Sequence, residues 1–112
     1  MEESILNTVK KMLGLAEDYD AFDVDVVVGI NSAFLTLKQL GVGPEEGFSI
    51  TGSEEKWSNF LGAESALLGA VKQYIYLKTR MLFDPPSTSS HIDALKSAIS
   101  ELEFRLTVEA EG

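Results

Sequence analysis

The chain has 112 residues, 18 acidic and nine basic side chains, no cysteine and a hydrophobic fraction of 45%. That size fits one domain, residues 1–112, with its own apolar core; the missing cysteines exclude a disulfide framework, a thiolate metal site and a cysteine nucleophile. A formal charge of -9, with no basic run longer than Lys10-Lys11, argues against a sequence-independent grip on nucleic acid, which needs several Lys or Arg on one face.

The first element is an amphipathic helix over 2–13, with Ile5, Leu6, Val9, Met12 and Leu13 at helical spacing. Glu2 and Glu3 suit its positive end, Lys10 and Lys11 its negative end, and Gly14 is a natural stop. This acidic start is unlike a secretory signal, which begins basic. No segment approaches the roughly 18 apolar residues of a membrane helix. The chain therefore reads as soluble, with no membrane partner.

The stretch AEDYDAFD follows, with four carboxylates in eight residues. Asp18, Asp20 and Asp23 miss the spacing of an EF-hand loop and no Gly follows them, so an acidic turn leading into a helix is the better reading. Residues 23–40 hold a β-branched cluster, Val24, Val26, Val27, Val28 and Ile30, with strand propensity. Yet Val27, Ile30, Phe34, Leu37 and Leu40 keep helical spacing, and eighteen residues without a turn signal predict a helix ended by Gly41. Its apolar residues cover more than one face. Such a helix is central in the core or is buried again on assembly, which makes Val26 and Ile30 interface candidates.

Residues 41–56, GVGPEEGFSITGSEEK, form the longest loop, with Phe48 and Ile50 alternating around Ser49 as a short extended piece. Contact with a partner is the role expected of it. Ser53 with Glu54 and Glu55 reads as the start of a short helix carrying Trp57, Phe60 and Leu61 to Gly62. The next helix, 63–83, places Leu67, Val71, Tyr74, Ile75, Lys78 and Leu82 along one band and ends at Asp84-Pro85-Pro86. Tyr76, two residues from Tyr74, then lies off that band as a candidate interface anchor. In the last helix Ser90 and Asp93 fit a capping box. Ile92, Leu95, Ile99, Leu102 and Leu106 form a narrow seam for packing on another helix. Residues 108–112 are expected to fray.

Nothing in the pattern builds a reactive site. His91 is the sole histidine, at the edge of a helix cap, and reads as a surface residue. Carboxylate pairs abound because acids abound, and nothing isolates one with a raised pKa. GVGPEEG lacks the lysine and spacing of a phosphate loop. The chain reads as a non-enzyme without cofactor or metal. Its protein-interface candidates are Phe48, Ile50, Trp57, Tyr76, Val26 and Ile30. The fold class is all-α: a bundle of four to five helices with one Gly-rich loop at about 41–53.

The order of features resembles the head–tail connector (portal-adaptor, head completion) family of tailed bacteriophages. It runs through a short first helix, DYDAFD, a long helix with INSAFLTLKQLGV, a loop, YIYLKTRMLFDPP and a final ALKSAISELEFRL. The DPP break before the last helix is the most specific piece. The resemblance covers nearly the whole chain. It implies a structural virion protein, made in the host cytoplasm, that forms a ring under the portal and joins head to tail. The ring would follow portal symmetry, as a dodecamer. Its partners would be further copies of itself, the portal and a tail or second head-completion protein, with DNA only passing through the lumen. Negative walls would let that DNA slide. The rival readings are a small cytosolic helical adaptor that binds one partner protein, and an acidic DNA mimic. Lys72, Lys78, Arg80, Lys96 and Arg105 weigh against the mimic.

Overall fold

The structure is a computed structural model that describes residues 3–62 and 66–111. Five helices follow one another: α1 (Ile5–Met12), α2 (Asp23–Gln39), α3 (Trp57–Phe60), α4 (Leu68–Phe83) and α5 (Ser89–Glu111). Among the described residues there is no strand, only an isolated bridge between Ser4 and Lys56. The class is all-α, as the spacing predicts. The body measures 37 × 36 × 22 Å, so its thin dimension is about two helix diameters.

The start of α1 is set by Ser4, whose Oγ accepts the Asn7 amide at 3.0 Å. That hydroxyl fills an orphan donor of the first turn, a role the acid-based reading passed over; Glu2 lies outside the described residues. Lys10, at the C-terminal end of α1, is buried. Its side chain is 1% exposed, its Nζ lies 2.8 Å from Asp23 Oδ1, and it donates to the Glu17 carbonyl at 2.9 Å. The acidic turn is therefore a latch between α1 and α2. Among the described residues no three His, Asp or Glu gather to hold a metal ion.

The β-branched run is helical throughout, and α2 ends at Gln39, with Leu40 as its C-cap and then Gly41, whose φ of +88° suits glycine. Tertiary packing decides the ambiguity. Gly29, inside VVVGI, lets α2 approach α4 so closely that a Cβ there would meet Thr79 Cγ2 at 3.0 Å. Val71, Ile75 and Thr79 share that side of α4 by their spacing of four. Tyr74 lies off that row, and its hydroxyl donates to Glu103 Oε2 of α5 at 2.7 Å. Burial, then the Glu103 carboxylate, pushes the Tyr74 phenol above its ordinary value of 10.0, so it stays a donor.

Thus α4 packs on both α2 and α5, which have little contact with each other. This corrects the single band read for α4. Leu77 and Thr79 are buried, while Leu82 near the helix end is 62% exposed. A helix held on two sides has a wider buried arc than one stripe. Residues 63–65 of the expected helix lie outside the described residues.

Besides α4, which begins at Leu68 with residues 66–67 in a turn, two more helix starts differ from the sequence reading. The short α3 begins at Trp57, where Asn59 Oδ1 accepts the Lys56 amide at 2.8 Å. Residues 51–55 are held in a turn instead: Glu55 Oε2 accepts from the Thr51 amide and hydroxyl at 2.9 and 3.0 Å, and the Glu55 carbonyl accepts the Ile5 amide. For α5 the cap is Thr88, whose Oγ1 accepts the His91 amide at 3.3 Å. In STSS each hydroxyl is a possible cap, so spacing alone does not choose among them. Helical geometry extends through Glu109 to Glu111, past the point where fraying is expected; Gly112 lies outside the described residues.

Candidate interaction surface

The six interface candidates fall in two groups. Val26, Ile30, Ile50 and Trp57 are at most 2% exposed and belong to the chain's own core. The second helix is apolar on more than one face and the loop is long, which is why they are candidates. The loop folds back onto α2, where Asn31 holds Ile50. Phe48 and Tyr76 are half-buried. Phe48 joins an aromatic cluster, its ring 5.0 Å from Phe34 and 5.4 Å from Phe60. The Tyr76 hydroxyl accepts a long hydrogen bond, 3.4 Å, from Arg80 Nη1.

One residue that sequence reasoning missed holds this arrangement. Asn31, on the flank of α2, donates through Nδ2 to the Ile50 carbonyl at 2.9 Å and accepts the Ile50 amide on Oδ1 at 2.8 Å. A side-chain amide thus pairs with one peptide in both directions and supplies what a neighbouring strand would. The signal was an Asn inside an otherwise apolar helix. Trp57 is fixed from the other side. Its Nε1 donates to Thr8 Oγ1 at 3.0 Å, and Lys72 Nζ sits 5.4 Å from its ring centroid.

The electrostatics of the loop and N-terminus are local. Partial desolvation pushes the Glu55 carboxyl up, but hydrogen bonds from its own amide, from the Thr51 amide and hydroxyl and from the Gly52 amide outweigh it and hold the group below 4.5. Glu3 is lowered mainly by its hydrogen bond with Lys11, 2.9 Å away, and Lys11 is raised by the same contact.

Met12 on α1 and Tyr19 in the acidic turn are exposed, and the most exposed large apolar side chains lie on α2, α4 and α5. On α2, Val24, Val28 and Leu35 are 78%, 58% and 60% exposed and point away from Val26, Ile30 and Leu37. Leu82 and Phe22 extend this flank, and the Phe22 ring lies 5.2 Å from that of Phe83. On α5, Phe104 and Val108 are exposed, opposite the buried Leu95, Ile99 and Leu106. Between α2 and α5, over α4, runs a groove of about 610 Å³ lined by Leu35, Lys78, Met81, Leu82, Lys96 and Ile99 among others. Scattered exposed apolar residues are ordinary; rows of them on one flank mark contact surfaces.

Fold and surface define a small all-α protein with exposed apolar flanks. A family model described as phage connector protein matches residues 5–112, and the chain belongs to that family of phage head–tail connectors. No curated protein and no solved structure matches the chain. Among the described residues no helix is long and apolar enough to cross a membrane.

Proposed function

We propose that this chain is a structural virion protein that forms a ring at the portal, joins the head to the tail and lets DNA pass through the ring's centre. The family match over residues 5–112 carries the reading. The exposed rows of α2 and α5 support it, because a ring closes through head-to-tail contacts that need two different apolar surfaces per chain. The charge of -9 fits a lumen that does not hold DNA. It also works as a brake, since like-charged copies repel until the portal gathers them. High salt should then promote self-association, and a chain that stays monomeric at every ionic strength counts against the brake.

The deciding experiment mixes the purified chain with the portal ring encoded beside it and images the mixture by negative-stain electron microscopy. Extra ring density on one axial end of the portal is the expected result. Bare portal rings at both low and high salt would transfer the assignment to an adaptor that binds one partner protein.

A further inference from the structure

The groove between α2 and α5 has a basic lining in an otherwise acidic chain. Two of the nine basic residues, Lys78 and Lys96, line it, and among the described residues no carboxylate does. Among the described residues neither lysine forms an ion pair; Lys78 Nζ only overlies the Tyr74 ring at 6.0 Å. The floor and rim are apolar, formed by Leu35, Met81, Leu82 and Ile99. A cleft of about 610 Å³ is large enough to admit protruding side chains.

The outer face of α5 has the complementary chemistry. Glu101, Phe104, Val108 and Glu111 recur at steps of three, four and three, so they share one helix face. Phe104 is 70% exposed and Val108 48%. Glu101 bonds Arg105 at 2.6 Å, but both side chains are more than half exposed, and such pairs re-partner at little cost. This face points away from α4 on one flank, while the outer row of α2 points away from α4 on the other.

We infer that the occupant of the groove is a second copy of this chain, which lays the Phe104–Val108 face of its α5 onto Leu35 and Leu82 and brings Glu101 and Glu111 to Lys78 and Lys96. The inference rests on the ring reading and gives that ring its subunit contact. Because the two surfaces differ and lie on different flanks, the contact is heterologous and repeats from copy to copy. It is also where an acidic chain can meet itself without like charges facing each other. The apolar residues supply the association, and the charges set register and orientation.

The cysteine-free background makes a direct test available. One preparation carries Leu35→Cys and another Phe104→Cys, both at exposed positions, so each should melt like the parent chain. Each is oxidised alone and then mixed, with the portal ring present and absent, while assembly is followed in parallel by mass photometry of the unsubstituted chain. The expected result is a cross-linked dimer in the mixture at least about tenfold above either preparation alone, the ratio of a contact worth about 1.4 kcal/mol. In a second arm, Lys78→Glu with Lys96→Glu weakens assembly by about tenfold or more, and adding a copy with Glu101→Lys and Glu111→Lys restores it. Assembly without the mixed cross-link and without charge-swap rescue overturns this contact but leaves the ring reading standing. A chain that never assembles, with or without portal, overturns both.

Discussion

The inner and outer rows of α2 have the same kind of side chain and opposite fates. Val26, Ile30, Ala33, Phe34 and Leu37 are buried within the chain's own core, while Val24, Val28 and Leu35 face outward at more than half exposure. Apolarity alone does not separate them. What separates them is which partners the chain itself provides. α4 and α1 pack on α2, the loop joins it where Asn31 holds Ile50, and the row of Val24, Val28 and Leu35 stays exposed. The difference teaches that a helix apolar nearly all round carries two instructions, one read within the chain and one left for assembly.

The largest effect should come from the inner row. Phe34 is 1% exposed and its ring lies 5.0 Å from Phe48 and 4.7 Å from Phe60. Phe34→Ala should cost about 3–5 kcal/mol in urea unfolding, from lost transfer energy plus the cavity left behind. A cost under about 1 kcal/mol would mean that the loop does not seal that side of α2. Next comes the seal itself. Asn31→Ala strips the Ile50 amide and carbonyl of their partner, and should cost about 1–3 kcal/mol. Amide exchange at Ile50 should accelerate in this variant, which ties the loss to the loop rather than to α2 propensity.

The α2–α4 crossing gives a smaller, conditional effect. Gly29→Ala gains about 1 kcal/mol of helix propensity, but its methyl meets Thr79 Cγ2 at 3.0 Å and Thr79 Cα at 3.3 Å. Overpacking of about 1–3 kcal/mol should exceed that gain. Thr79→Ser removes the obstructing methyl, so the double variant should be more stable than the sum of the singles predicts. Strict additivity in that cycle would mean the two positions do not touch. Smaller again is the response of the loop to acid. The folded Glu55 carboxyl lies below its ordinary 4.5, so its contribution is present above that value and is lost as pH falls below it through the folded value. Thermal melts between pH 3 and 7 should show a drop in that acid window, reduced in Glu55→Gln.

The helices were legible because their periods are long and their stops are Gly41 and the Pro85-Pro86 pair. The doubt over Val24–Ile30 came from local propensity, which packing on α4 overrides. Caps were read less well, since Ser53, Ser90 and Thr88 are equivalent until the fold assigns their neighbours. Of the interface candidates, Val26 and Ile30 rest on apolar residues in excess of one face. The excess was real, but the pattern does not say which row the chain covers. That depended on Asn31 reaching a peptide nineteen residues away, a contact no spacing rule contains. Lys10 was hidden for the same reason, because its carboxylate partner becomes a neighbour only once the acidic turn has folded.

The smallest expected change in stability carries the sharpest form of the comparison. Val28→Ser with Leu35→Ser alters two residues that are 58% and 60% exposed, so unfolding free energy should stay within about 0.5 kcal/mol per site of the parent. The same substitutions remove apolar area from the α2 flank and from the rim of the Lys78–Lys96 groove. Monomer stability and assembly should therefore separate: the melt is unchanged, while the assembled fraction on portal rings falls. Phe34→Ala makes the converse case, because any loss of assembly there should follow the loss of folded chain and recover when temperature is lowered. If Val28→Ser with Leu35→Ser instead unfolds the monomer, the outer row is part of the core and the two-row account of α2 fails. If it leaves both melt and assembly untouched, the row is idle surface and the subunit contact lies elsewhere on the chain.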